Sequence, residues 1–332
     1  MRSVFFGDPY QIRRVYSAEV TAALEKEAGL RTDKIFGSGD IGDTDFSGVR
    51  YIFTTWGFPP MSEETLSSAF PDLKAIFYGA GSVQSFARPV LARGIKLFSA
   101  WKANAVPVIE YACSQILLAN KGFFHSRAHG DVQSYDEARK AFANFPGNFG
   151  CPVGIIGAGA IGSGVIKKLS EHRLDLMVYD PFITEERAAE YGAKKVQTLG
   201  ELFTTCRTIS NHTANNASTK GMLTGELFAM LPKYSTFINT GRGAQIDEKG
   251  LVSVLEARKD IVAILDVTWP EPPEKGHLFY SMPNVILTPH MAGSSGNEVQ
   301  RMGEYMLAEF RALEYGGALS CEVTAAMLET MA

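Results

Sequence analysis

The sequence predicts an α/β protein made of two doubly wound parallel-sheet domains. Three observations carry that prediction. The chain has 332 residues, room for two domains at about 100–200 residues each. Short apolar runs alternate with helical stretches over residues 1 to about 100, and the alternation restarts near residue 150. Strands that alternate with helices build parallel sheets covered on both faces. Finally, glycine is over-used, at 32 residues, about 10% where about 7% is average. Six of these glycines crowd into residues 150–164 (Gly150, Gly154, Gly157, Gly159, Gly162 and Gly164). Glycine costs backbone entropy and is kept where a side chain would obstruct something.

The elements follow in order. Ser3–Phe6, broken by Gly7-Asp8-Pro9, reads as a first strand and turn rather than a signal peptide. Tyr51–Thr54, Ala75–Tyr78 and Lys96–Phe98 read as strands, and Ala18–Ala28 and Glu63–Ala69 as helices. Asn104–Lys121 is a long helical pattern with Pro107 in its first turn, long enough to connect two domains. After residue 150 the strands are Val153–Ile156, Leu176–Tyr179, Thr208–Ser210, Thr236–Asn239, Ile261–Asp266 and Val285–Leu287. Helices are expected at Ile161–Glu171, Gly225–Leu231 and Asp247–Arg258, with a final one from beyond Gly293 to about Tyr315. The division expected is residues 104–294 as a nucleotide domain, and residues 1–101 with 296–332 as a substrate domain.

Composition excludes other classes. Charged residues are 20% and AVILMFWYC residues 45%, which argues against disorder, collagen and coiled coil. A net charge of -4 without a long basic run leaves no footprint for nucleic acid. No apolar stretch reaches the roughly 18 residues of a membrane helix. Cys113, Cys151, Cys206 and Cys321 are far apart in sequence and form no Cys-x-x-Cys. They read as buried reduced thiols of a cytoplasmic protein, with no metal site.

Gly157-Ala158-Gly159-Ala160-Ile161-Gly162 matches Gly-x-Gly-x-x-Gly between a strand and a helix, the context a dinucleotide site requires. Gly157 permits the tight turn, Gly159 lets a pyrophosphate approach, and Gly162 lets helix and strand pack closely. The helix start at Ala160 and Ile161 offers free N–H groups to phosphate. Asp180 ends the next strand, where its carboxylate suits ribose hydroxyls and repels a 2′-phosphate, so NAD is expected rather than NADP. Three later segments lie at strand carboxyl ends, where open α/β sheets bind ligands: Ile238–Gly243, Leu265–Pro272 and Leu287–Gly293. They supply Arg242, Glu271 and His290.

With these motifs in this order, the chain resembles the D-isomer-specific 2-hydroxyacid dehydrogenases over nearly its whole length. Thr-Pro-His290-x-Ala-Gly, Asn211-His212-Thr, Asp247-Glu248 and Asn104–Glu110 add to the likeness. The resemblance implies a Rossmann-type nucleotide domain plus a flavodoxin-like substrate domain, and an NAD-dependent interconversion of a 2-keto acid and a D-2-hydroxy acid. It implies a catalytic Arg242, Glu271 and His290, with His212, Thr240 and Asp266 near the cofactor. It also implies that the Gly81-Ser82-Val83 loop offers backbone N–H groups to the substrate carboxylate, and that the protein is a homodimer through its nucleotide domain. The chemistry suits these residues. Imidazole titrates near neutral pH and can donate the proton. Glu271 would fix its tautomer and favour the imidazolium. Arg242 would fork onto the carboxylate and polarise the carbonyl. Closure around ligand would exclude water. A non-catalytic NAD-sensing corepressor on the same fold is the alternative.

Two departures stand out. Gly241 replaces the family's usual alanine before the arginine, which is expected to loosen that turn. Ser82-Val83-Gln84-Ser85 replaces the usual acidic or amide residue after Gly81, which bears on substrate identity. Trp56, Trp101 and Trp269 are candidates to wall the pocket, whereas His125, His129, His172 and His277 read as surface residues. Twelve glycines, the six above with Gly79, Gly81, Gly241, Gly243, Gly293 and Gly296, are expected to bare the backbone for a ligand or a hinge.

Overall fold

The structure is a computed structural model that describes residues 2–128, 135–329 and 331. It divides into two compact units, Met1–Ala105 with Ser294–Ala332, and Val106–Gly293.

The first unit has five parallel strands: β1 (Ser3–Phe6), β2 (Leu30–Phe36), β3 (Tyr51–Thr54), β4 (Ala75–Tyr78) and β5 (Lys96–Ser99). Their order is β2-β1-β3-β4-β5, and the short strand Glu322–Val323 lies antiparallel on β5. That is the flavodoxin-like order. β1, β3 and β4 are buried at every residue, which is why they are legible as uninterrupted apolar runs. β2 is an edge strand whose middle residues are exposed, so its Arg-Thr-Asp-Lys stretch hides it from an apolar pattern. The Gly7-Asp8-Pro9 turn goes straight into a helix, Pro9–Val15. Asp8 caps it by accepting from the Gln11 N–H at 2.8 Å. One face of the sheet packs Phe6, Phe46 and Phe70. The other stacks Phe53 on Phe77 and Phe77 on Phe98, with ring centroids 4.9 Å apart in each pair, under Phe310 from the helix Val299–Tyr315.

The second unit has seven parallel strands: β6 (Phe149–Ile156), β7 (Arg173–Tyr179), β8 (Lys194–Lys195), β9 (Thr208–Asn211), β10 (Thr236–Asn239), β11 (Val262–Leu265) and β12 (Val285–Leu287). Their order, β8-β7-β6-β9-β10-β11-β12, is the Rossmann order with one strand added. The strand order reverses between β6 and β9, which places the ligand crevice of such a sheet beyond their carboxyl ends.

Some expectations are corrected. The long helix runs Trp101–Asn120, so Pro107 lies inside it rather than in its first turn, and the boundary between the units falls just before Pro107. His125 is not a surface residue. It is buried, and its Nε2 meets the Asp260 carbonyl at 3.1 Å, because the ring packs against Phe145 and Tyr234. His277 is half-buried and pairs with Glu248 at 2.7 Å. His172 is exposed, and His129 lies outside the described residues. The four cysteines are buried and free.

Candidate active site

The Gly157–Gly162 turn joins β6 to the helix Ala160–Leu169. Gly157 is left-handed at φ 86, a conformation only glycine adopts at little cost. A Cβ on Gly162 would sit 1.9 Å from the Gly157 carbonyl oxygen, whereas one on Gly159 would meet nothing within 4 Å. The turn is thus closed against the sheet at Gly162 and open at Gly159. Gly159 is the helix N-cap and has no side chain to cap with, which leaves the first amides to a ligand. Asp180, just past β7, accepts from the Ala158 N–H at 2.7 Å and from the Phe182 N–H at 2.8 Å. It also accepts from the Ile183 N–H at 3.3 Å, so it ties the turn to the next strand and keeps one lone pair for a hydroxyl donor. The geometry therefore fits a dinucleotide.

Not all of the glycine cluster is reserved for a ligand. A Cβ on Gly154 would press on Cys206 and Leu202, and one on Gly164 would lie 2.3 Å from Ile109. Both serve packing. Gly243 is likewise forced by the Thr268 backbone, 1.9 Å from where its Cβ would be.

His212 follows β9 and is buried. Its Nδ1 shares a 3.0 Å hydrogen bond with the Thr240 hydroxyl, while Nε2 is buried with no partner. Burial pushes its pKa down to about 3, so the ring is neutral. An unpartnered polar atom in so buried a place is costly to the bare protein and ready for a ligand group.

Arg242 follows β10. Its Nη1 donates to the Gly241 carbonyl at 2.7 Å, and no carboxylate lies within 4.0 Å of it among the described residues. Burial pushes its pKa down from the usual value, opposed by the charge of Glu271. It stays protonated at neutral pH, a desolvated cation without an anion.

Glu271 and His290 meet directly. The His290 Nδ1–H donates to Glu271 Oε1 at 2.6 Å, leaving Nε2 without a protein partner among the described residues. Both side chains are part-exposed, His290 at 46%. They border a cavity of about 660 Å³ whose wall includes Thr268, Phe279, Tyr280 and Leu287. His290 itself is left-handed at φ 52, a rare state for a residue with a Cβ. Asp266 enforces it. Asp266 is buried, and its carboxylate accepts from the Thr288 hydroxyl (2.7 Å), the Met291 N–H (2.8 Å) and the Ala292 N–H (3.0 Å). Its backbone carbonyl accepts from the His290 N–H at 3.0 Å. Asp266 therefore clamps both sides of the turn that carries His290.

In the first unit, Gly79 is required because a Cβ there would lie 2.7 Å from Val15. The carbonyls of Gly79, Ala80 and Gly81 are held by the hydroxyls of Thr55 and Ser99. The amides of Gly81, Ser82 and Val83 donate to no protein acceptor among the described residues, a nest suited to an anion. The Val83 side chain is in the core, so only its backbone is available. Among the tryptophans, Trp269 is exposed and Trp56 packs on the unit's own cores.

Sequence reasoning missed Asn211, Asn239 and Gln245 as a group. The signal was an amide residue closing each of the segments Thr208–Asn211 and Thr236–Asn239.

The family model described as D-isomer specific 2-hydroxyacid dehydrogenase, NAD binding domain, matches residues 119–292. The chain belongs to this family, and the second unit carries its NAD-binding domain. D-3-phosphoglycerate dehydrogenase of Methanocaldococcus jannaschii is 31% identical over 217 residues, 65% of this chain and 40% of that protein. The namesake enzyme of Bacillus subtilis is 33% identical over 207 residues, 62% of this chain and 38% of that protein. The match thus spans only about 40% of the length of such relatives. Among solved structures, the apo form of Rhodotorula graminis D-mandelate dehydrogenase superimposes with a TM-score of 0.79 at 20% identity, over 97% of each chain. The NAD-complexed D-isomer specific 2-hydroxyacid dehydrogenase of Lactobacillus delbrueckii ssp. bulgaricus gives 0.76 at 18% identity, over 98% of this chain and 100% of that one. These likenesses establish the shared fold.

Proposed function

We propose that this protein interconverts a 2-keto acid and a D-2-hydroxy acid, with the first unit as its substrate domain. The observation that carries this reading is the His290–Glu271 pair, whose Nε2 is open, in company with a cation that has no anion. NADH, when bound, supplies a hydride to the carbonyl carbon. His290, as imidazolium held by Glu271, donates the Nε2 proton to the carbonyl oxygen, and takes it back in the reverse direction. Arg242 holds the carboxylate and stabilises charge on the oxygen. The unused amides of Gly81, Ser82 and Val83 suit a carboxylate. The amides from Gly159 to Gly162 hold the pyrophosphate and Asp180 the ribose, while His212 and Thr240 line the cofactor side. The partner proposed is a second copy through the nucleotide unit, where Leu118, Phe123, Phe142 and Phe149 are exposed.

A panel of glyoxylate, hydroxypyruvate and bulkier 2-keto acids with NADH, and phosphoglycerate with NAD, read by nicotinamide absorbance, tests the reaction. Turnover with at least one is expected. His290→Asn suits the left-handed backbone. It is expected to lower turnover by about a hundredfold or more with NADH affinity unchanged. NADH binding without turnover on any acid would instead support the sensor.

A further inference from the structure

Asn211 ends β9, Asn239 ends β10, and the two are register partners. Gln245 lies three residues past Arg242. All three are fully buried. Asn211 Nδ2 donates to Asn239 Oδ1 (2.9 Å) and to Gln245 Oε1 (2.7 Å). Asn239 Oδ1 also accepts from the Gly241 N–H, and its Nδ2 donates to the Arg242 carbonyl, each at 3.1 Å. Gln245 Oε1 accepts from the Arg242 N–H at 3.1 Å. Gln245 Nε2 donates to the carbonyls of Thr213 (2.8 Å) and Ala214 (2.9 Å). Asn211 Oδ1 accepts from the N–H and hydroxyl of Thr213. All but one of the donor and acceptor positions of the three amides are used.

We propose that Asn211, Asn239 and Gln245 are positioning residues that lock the turn bearing Arg242 to the turn after His212. This rests on the role given to Arg242 above. The logic is electrostatic. A carboxylate partner would fix the guanidinium but neutralise it, and a substrate anion would then have to displace that partner. Neutral amides fix Arg242 through its backbone, at both N–H and carbonyl, and leave its charge whole. The same arrangement explains Gly241. A Cβ there would lie 2.7 Å from Gln245 Oε1 and 2.8 Å from Asn211 Nδ2. The glycine does not loosen the turn, as its sequence suggested. It admits the amides that pin it.

The test is Gln245→Met, with Gly241→Ala as a second variant that keeps the amides and wedges a methyl against them. Hydrogen–deuterium exchange by mass spectrometry should quicken in both 211–214 and 239–246. The value of kcat/KM should fall by about tenfold to a hundredfold, with KM raised and NADH affinity changed far less. Leu255→Val, a core change in the same unit, serves as the control at matched thermal loss. Faster exchange confined to 239–246, or an equal activity loss in Leu255→Val, overturns the proposal. If wild type reduces no 2-keto acid, the reaction assignment fails, and the exchange measurement still decides whether the two turns are locked.

Discussion

At the scale of single residues, burial shifts the titration of groups in the candidate site away from its course in water. His212 is the clearest. Its ring is neutral because burial disfavours the charged form, with a pKa pushed down to about 3. In the unfolded chain the same ring titrates near 6.5. Below that value the unfolded state binds a proton that the folded state refuses, so stability falls as pH drops from 6.5 towards 3, by up to about 1.4 kcal/mol per pH unit. His212→Gln removes this contribution. Urea unfolding at pH 7 and pH 5 should show the variant losing less stability than wild type over that interval; equal losses would contradict the buried neutral ring. Arg242 is the counterpart, a cation kept charged where solvent is scarce.

At the scale of elements, the carboxyl ends of β9 to β12 each carry one part of the proposed site, and each end is fastened by a buried polar side chain. Asp266 at the end of β11 is the strongest fastening, since a carboxylate taking three donors is charge-assisted at each. Asp266→Asn keeps the shape but sets an amide N–H against groups that themselves donate. Hydrogen bonds to charged groups are worth about 1.5–3 kcal/mol each, so the variant is expected to lose about that much stability. It should also lose turnover, with faster exchange in 288–292. A role confined to holding the cofactor would weaken NADH binding and leave that exchange as it was.

At the scale of the whole molecule, each unit's cores are made from its own residues. The clusters around Phe6 and Phe77 draw on residues before 105 and after 294, including Met302, Met306, Phe310 and Val323. The clusters around Ile155 and Phe237 draw only on residues between 106 and 293. A fragment of residues 106–293 is therefore expected to fold and to bind NADH within about threefold of the full chain. Removing residues 294–332 should instead unfold the first unit. Fluorescence titration of the fragment and circular dichroism of the truncated chain check the two halves of this prediction; a fragment that does not fold would refute it.

Strands buried on both faces are rich in apolar residues, so β1, β3, β4 and β10 were legible to the residue, as were the half-buried Val-Ile-Leu run of β12 and the glycine turn with its following acid. The order Arg242, Glu271, His290 was legible too, because each follows a strand end. Sequence by itself thus determined the fold class, the family and the list of site candidates. It did not determine which atoms of those candidates are free. Only the tertiary structure decided that Asp266 spends its carboxylate on the His290 turn, that His125 is buried, that Gly154 and Gly164 serve packing, and that Gly241 makes room for amides. The physical reason is that hydrogen-bond saturation and close contact depend on residues far apart in the chain. Asn211 and Gln245, 34 positions apart, meet only because β9 and β10 lie side by side.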